Sequence, residues 1–274
     1  MLAHIVQKTL AVSRERPRAL AFGLFALFYP PCCAHCHARM ARHAVLCPSC
    51  WSRLPFIERP FCEVLGTPFA HDPGDGMVSG EAIANPPVFD RLRSVALHDG
   101  VARDLVHDLK YRDRGDLAPM MAGWMARAAA AELAQADGIV PVPLHRTRLF
   151  RRMFNQSAEL GRHLAALSDI AFMPQVLVRR KRTEQQVGLT ANARALNVRG
   201  AFTVPKERQD MVFGRRLILI DDVYTTGATV SAATTALKKA GAADVTVLTF
   251  ARAVSGPECC AARRGYRDHR QDCV

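Results

Sequence analysis

Arg216-Leu-Ile-Leu-Ile-Asp-Asp-Val-Tyr-Thr-Thr-Gly-Ala-Thr-Val230 is the stretch on which the fold of this chain turns. Leu217 to Ile220 are consecutive large aliphatic residues, the pattern of a strand buried on both faces. Asp221 and Asp222 follow at its carboxyl end, and Thr225, Thr226, Gly227, Ala228 and Thr229 make a loop of small residues. An Ala-rich helical spacing anchored by Leu237 comes next, and Gly241 stands where such a helix stops. Asp244 to Ala251 then reads as another strand. The order strand, small-residue loop, helix, strand predicts a parallel βαβ unit. Its loop lies at the strands' carboxyl edge, where open α/β sheets bind ligands.

Small residues let backbone N–H groups approach an anion. The helix amino terminus behind them adds about half a positive charge, and threonine hydroxyls add donors. That describes a phosphate cradle. The two carboxylates beside it would repel a phosphate, but they suit the neutral cis-diol of a ribose or a hydrated magnesium ion. A cradle and a diol reader side by side predict a ribose 5-phosphate site; a capped βα turn is the plainer reading of the threonines alone.

The stretch resembles the phosphoribosyl pyrophosphate (PRPP) signature of type I phosphoribosyltransferases. Leu109-Lys110-Tyr111, Val140-Pro-Val-Pro-Leu-His-Arg146, Phe154-Asn155-Gln156 and Gln186 through Phe202 extend the likeness in order. With them the chain resembles the ComF (competence protein F, GntX-like) family, a zinc ribbon followed by a phosphoribosyltransferase-like domain. The resemblance implies an α/β fold with a type I phosphoribosyltransferase-like parallel sheet flanked by helices. It implies PRPP, with magnesium, at Asp221, Asp222 and residues 225–229. It also puts the diphosphate against the loop carrying Arg146, Arg151 and Arg152, whose guanidinium groups grip phosphate oxygens in pairs. Lys110 and Arg112 would face the sugar diphosphate, although solvated side chains fit the composition equally well. The basic connection from Arg179 to Arg199 would contain a flap that closes over PRPP. Its run Arg179 to Arg182 fits a nucleic-acid backbone just as well.

The 274 residues suffice for one α/β core and a small satellite domain. The formal net charge is +12, and its placement is informative. From Ile139 to Arg216 there are fifteen Lys or Arg against five Asp or Glu, an excess of ten around the expected anion site. A polyanion is the partner this predicts, either a diphosphate-bearing small molecule or a nucleic acid.

Cys33-x2-Cys36 and Cys47-x2-Cys50 are two knuckles ten residues apart. Together they offer the four soft ligands of a tetrahedral zinc site, which would supply a core that a segment this small lacks. Cys32 in place of Cys33, or His35, His37 or His43 in place of a cysteine, fits the same spacing. The family often carries a second knuckle set; here Cys62 stands at its start, but Leu65 takes the next cysteine position. One structural zinc is expected. Cys259, Cys260 and Cys273 among arginines fit no recognised pattern.

The remaining segments set the boundaries. Residues 1–30 predict an amphipathic helix: the apolar run Ala19 to Tyr29 is shorter than the about 20 residues a bilayer requires. No small-x-small cleavage site follows it. The expected location is cytoplasmic, without a transmembrane segment. Residues 31–66 predict the zinc ribbon, 67–90 a Gly-, Pro- and Asp-rich linker, 91–252 the α/β domain and 253–274 a disordered tail. Within the domain, Leu92 to His98 predicts a strand, and Val101, Leu105 and Leu109 recur at helical spacing. Leu117, Met121, Trp124, Met125 and Ala128 predict an amphipathic helix whose Met and Trp serve the core. Ile139 to Pro143 predicts a short strand ended by prolines. Asn155 would cap a helix with Leu160, Leu164 and Leu167 along its buried stripe.

No Walker A motif and no HExxH motif is present, which argues against a motor ATPase and a zinc hydrolase. By resemblance the chain is an accessory protein of DNA uptake in natural transformation, handling single-stranded DNA with the competence machinery. An active phosphoribosyltransferase acting on a nucleobase-like acceptor and a PRPP-sensing regulator are the alternatives.

Overall fold

The computed structural model describes residues 30–42, 45–112, 114–144, 155–180 and 200–253. The chain divides into two compact units, Met1–Ser52 and Arg53–Val274. Segment 67–90, expected as a linker, falls in the second unit. It forms a helix, α2 (Gly80–Ala84), whose first turn is capped by the Ser79 side chain accepting from the Ala82 amide. Ala82 and Phe89 are buried in the core there. Proline and glycine marked the loops correctly, but two isolated apolar anchors carry no period that sequence inspection could catch.

In the first unit the chain folds around sulfur. Cys33 bridges to Val45 and Cys32 to Arg39, and a single turn, α1 (Pro48–Trp51), is capped by Cys47. Among its described residues Cys33, Ala34, Leu46, Cys47 and Cys50 are buried.

The second unit is built on a four-stranded sheet of β1 (Arg91–Leu97), β2 (Gly138–Pro141), β5 (Arg216–Tyr224) and β6 (Asp244–Arg252). The order is β1-β6-β5-β2, and every pairing is parallel. Leu217 to Ile220 are all buried, as four aliphatic residues in a central strand must be. Side chains alternate across the sheet. On one face Leu217, Leu219, Val245 and Val247 join Val230, Ala233 and Leu237 of α7 (Ala228–Lys239). On the other, Phe250 stacks on Trp124 at 6.0 Å, bringing in α4 (Ala118–Ala128), which the single turn α5 (Ala130–Leu133) follows, while Met121 and Met125 of α4 are fully buried. Helix α6 (Gln156–Ser168) seats on the same face, its Gly161 close to Ile139, Ile220 and Phe172. Leu160 and Leu164 are buried as expected, but Leu167 is 60% exposed. The buried stripe ends a turn early, because α6 closes at Ser168 with Asp169 in the left-handed region.

Both sheet edges are covered. Residues 55–57 lie against β1, with Ile57 N–H on Val95 O and Leu97 N–H on Pro55 O. Segment 171–173 lies against β2, with Ile139 N–H on Ala171 O. A second sheet pairs β3 (Val178–Arg179) with β4 (Phe202–Thr203) antiparallel. It pins the two ends of the connection expected to hold the flap; residues 181–199, like the expected amino-terminal helix and tail, lie outside the described residues. Among the described residues no helix is long and apolar enough to cross a membrane.

Phe250 is fully buried between the sheet and Trp124. Truncation to alanine is expected to lower the unfolding free energy by about 3–5 kcal/mol, read as a drop in the urea midpoint at unchanged slope.

Candidate functional site

Strand β5 runs four residues past its aliphatic stretch, so Asp221 and Asp222 sit within its carboxyl end rather than after it. Asp222 is 7% exposed. Burying a carboxylate is costly unless it is paired, and here Lys110 Nζ stands 2.8 Å from Asp222 Oδ2. Lys110 reaches it from the end of α3 (Gly100–Tyr111), the helix in which Val101, Leu105 and Leu109 face the core. Asp221 Oδ1 accepts from the Ser157 hydroxyl and from the Asp222 amide, each at 3.0 Å. Lys110, one of the predicted residues, thus joins the acidic pair.

Burial, and after it the neighbouring Asp222 charge, pushes the Asp221 carboxyl up to about 7. Lys110, the Asp222 amide and Ser157 pull in the opposite direction without cancelling that rise. For Lys110, burial works against the charge, but Asp222 and then Asp221 outweigh it and hold the ammonium above its ordinary value. His98, one residue past β1, is pushed below its ordinary value by burial first and by Lys110 next. It presents a neutral imidazole beside the pair.

The loop after β5 follows the sequence reading. Thr225 and Thr226 are exposed. Gly227 is the N-cap of α7 with φ 73°, a left-handed conformation that favours glycine. A Cβ at Gly227 would also lie 2.7 Å from Tyr224 Oη. Gly227 carries no side chain over the first turn of α7, so Ala228 and Thr229 begin that helix with its amide end unobstructed by a cap. Arg146, Arg151 and Arg152 lie outside the described residues. Asn155 takes the N-cap position of α6 but makes no capping bond. Its Nδ2 donates instead to Val142 O, just past β2, at 3.3 Å. Sequence reasoning missed Ser157, and it singled out Gln156 only as part of the Phe154-Asn155-Gln156 likeness, without a role. For Ser157, only its position at the start of a helix following a strand of a parallel sheet could have pointed to it.

A polar cavity of about 440 Å³ lies at the opposite, amino-terminal edge of the sheet, lined by Arg91, Arg93, Arg216, Glu63, Glu132 and Asp244 among others. Its guanidinium groups already hold partners: Arg93 pairs with Glu63 and Glu132 at 2.7 Å each, and Arg91 with Asp244 at 2.9 Å. It is a salt-bridge cluster set away from the carboxyl edge.

In the first unit Cys33, Cys36, Cys47 and Cys50 place their sulfurs within 4.8 Å of one another. Cys36 and Cys47 Sγ are 3.6 Å apart, near the about 3.8 Å edge of a tetrahedron with Zn–S of about 2.3 Å. Burial pushes the Cys33 thiol up, but amides of Cys36, Cys47 and His35 outweigh it and bring it down to about 6. These donors favour thiolates, the form that binds metal. The set fits a structural zinc. Cys32 turns away, its Sγ donating to Pro30 O at 3.2 Å. His35 Nδ1 lies 3.4 Å from Cys50 Sγ, a partner of the ligand sulfur. His43 is outside the described residues. The second knuckle keeps its backbone: Cys62 N–H meets Thr67 O as Cys33 N–H meets Ala38 O. Where a second thiolate would stand, it has Leu65, which is buried.

Zinc analysis of the purified protein should give one ion per chain. Cys47→Ser is expected to lose it, while Cys32→Ser and Cys62→Ser keep it. The acidic pair predicts a pH effect. Native Asp221 holds its proton above the ordinary aspartate range near pH 3.9, so the folded state binds more protons between about pH 4 and about pH 7. Stability therefore falls as pH rises through that window. Urea titrations across it should show the decline in wild type and its loss in Asp221→Asn.

The Double zinc ribbon domain family model matches residues 24–82. The chain is 32% identical over 226 residues to DNA utilization protein YhgH of Salmonella typhimurium, covering 80% of this chain and 89% of that protein. It is 31% identical over 233 residues to YhgH of Escherichia coli, covering 82% and 99%. It is 26% identical over 228 residues to Competence protein F of Haemophilus influenzae, covering 81% and 96%. Among solved structures it overlaps an allosteric regulatory enzyme of purine biosynthesis (TM-score 0.32, 22% identity, 48% of this chain and 25% of that one). It also overlaps glutamine PRPP amidotransferase from B. subtilis (TM-score 0.33, 20% identity, 52% and 30%). The overlaps span under a third of those longer chains and bear on neither ligand nor activity. With a zinc ribbon ahead of a parallel α/β domain, and YhgH matched along nearly its whole length, the chain belongs to the ComF family of DNA utilization and competence proteins.

Proposed function

We propose that this protein is a ComF-like accessory factor of DNA uptake that handles single-stranded DNA and carries a phosphoribosyl-binding site at the carboxyl edge of its sheet. The observation that carries the ligand reading is the acidic pair beside an uncapped helix amino end. Lys110 and Ser157 take one oxygen each of Asp222 and Asp221, which leaves one oxygen of each carboxylate for a ligand. Two such acceptors suit the adjacent hydroxyls of a ribose. With an ammonium already on Asp222, the pair suits a neutral diol better than a hydrated divalent ion. Magnesium would then accompany PRPP on its diphosphate. The 5′-phosphate would meet the amides and hydroxyls of residues 225–229, and Arg146, Arg151 and Arg152 would face the diphosphate.

The names of the relatives, DNA utilization and competence, support the nucleic-acid role. So does the excess of ten positive charges between Ile139 and Arg216. A backbone-tracking interface of this kind releases counterions, so its affinity falls steeply with salt. The aromatic content of 7% leaves limited room for base stacking, making charge the main contributor.

Calorimetric titration of PRPP with magnesium should give binding that Asp221→Asn/Asp222→Asn weakens at least about tenfold, a loss of about 1.4 kcal/mol or more. An unstructured oligonucleotide followed by anisotropy should lose affinity linearly in log salt. Absence of PRPP binding by folded protein would sink the ligand reading. DNA binding indifferent to salt, or none, would sink the DNA reading. Pyrophosphate release on adding a particular nucleobase would make the protein a phosphoribosyltransferase instead.

A further inference from the structure

We propose that Asn155, Gln156 and Ser157 are positioning residues that lock the β2 loop, the Lys110 end of α3 and Asp221 into a single frame. The inference rests on the phosphoribosyl reading of the site. Three consecutive side chains at the start of α6 each leave their own helix for a different element. Asn155 Nδ2 donates to Val142 O, just past β2, at 3.3 Å. Gln156 Nε2 donates to Lys110 O, the last turn of α3, at 3.3 Å. Ser157 Oγ donates to Asp221 Oδ1, at the end of β5, at 3.0 Å. Successive residues of a helix point about 100° apart, which is how three neighbours reach three directions.

Two observations make this a frame rather than incidental surface bonding. Gln156 and Ser157 are buried, at 3% and 5% exposure, and a buried amide or hydroxyl that loses its partner is costly. Helix α6 cannot slide to compensate. A Cβ at Gly161, one turn on, would lie 3.0 Å from Phe172 and 3.5 Å from Ile139, so the helix is seated against β2 and its neighbouring segment. The register that packs Gly161 is the register that presents Ser157 to Asp221. Ser157 thereby selects the oxygen of Asp221 offered to a ligand: its hydroxyl and the Asp222 amide share Oδ1, which leaves Oδ2 for that contact. Gln156 fixes the backbone from which Lys110 reaches Asp222. None of the three residues need touch the ligand.

The test is PRPP–magnesium calorimetry on wild type, Ser157→Ala, Ser157→Thr, Asp221→Asn and the Ser157→Ala/Asp221→Asn double variant, with a urea midpoint for each. Ser157→Ala is expected to weaken binding about tenfold, the scale of one hydrogen bond. Ser157→Thr, which keeps the hydroxyl, should restore most of it. In the Asp221→Asn background the Ser157→Ala change should cost little more, because its effect passes through Asp221. A purely structural serine would instead lower the urea midpoint and weaken binding equally in both backgrounds, and that result overturns the proposal. So does wild-type binding that survives Ser157→Ala unchanged. Failure of the wild-type chain to bind PRPP overturns the functional reading and this inference with it.

Discussion

The carboxyl end of the sheet depends on the ion pair between Lys110 and Asp222. A carboxylate with 7% exposure loses most of its hydration, and removing one partner of such a pair costs about 3–5 kcal/mol. The pair therefore ties the last turn of α3 to the end of β5. Asp221, the neighbour of Asp222 on the strand, feels the same ammonium only through space, and that attraction does not offset its burial. It is left with two neutral donors on one oxygen, and its proton is correspondingly hard to remove. Burial and the neighbouring Asp222 charge raise the Asp221 carboxyl above its ordinary range. Two identical side chains, adjacent in sequence, are thus given different partners by the elements around them.

This arrangement needs a rigid support, and the packing supplies it from both faces. Leu217 and Leu219 face Val230 and Leu237 of α7, the helix that follows the small-residue loop. Ile220 faces α6, which carries Ser157. The two helices that bracket the acidic pair are thus gripped by alternate residues of the strand that bears it. A shift of β5 would move the loop and the positioning serine together, so the sheet core and the site geometry are a single mechanical problem.

Much of this was legible in sequence because it rests on local pattern. Four aliphatic residues in a row announce a central strand, and two CxxC knuckles announce a sulfur cluster, since each depends on neighbours along the chain. What escaped depends on partners far away. Leu167 fits the helical stripe of Leu160 and Leu164, yet it is 60% exposed, one residue from the end of the helix at Ser168. Asn155 is a plausible cap by residue type, but Val142 O claims its side chain. Ser157 contacts a carboxylate 64 positions away, and no periodicity encodes that. Segment 67–90 reads as a linker because Phe89 and Ala82 are single anchors rather than a repeating face.

The two knuckles show what a metal does for a backbone and what can replace it. Residues 33–38 and 62–67 share a hydrogen-bond pattern: the amide at the fifth position returns to the first carbonyl, at 3.1 Å for His37 and 2.7 Å for Gly66. That fifth residue is left-handed in each, with φ 59° at His37 and 60° at Gly66. Histidine is tolerated at the first because it is exposed. Glycine is required at the second because a Cβ there would lie 2.5 Å from Leu92 O. The first knuckle converges on four sulfurs. The second offers one, Cys62 Sγ, whose neighbours are the amides of Leu65 and Ser79 at 3.4 and 3.2 Å. Its hold comes from the sheet instead: Leu92 N–H reaches Val64 O at 2.8 Å, Arg93 binds Glu63, and Arg252 donates to Leu65 O. A loop shape that thiolates and zinc maintain in one place is maintained in the other by packing against β1.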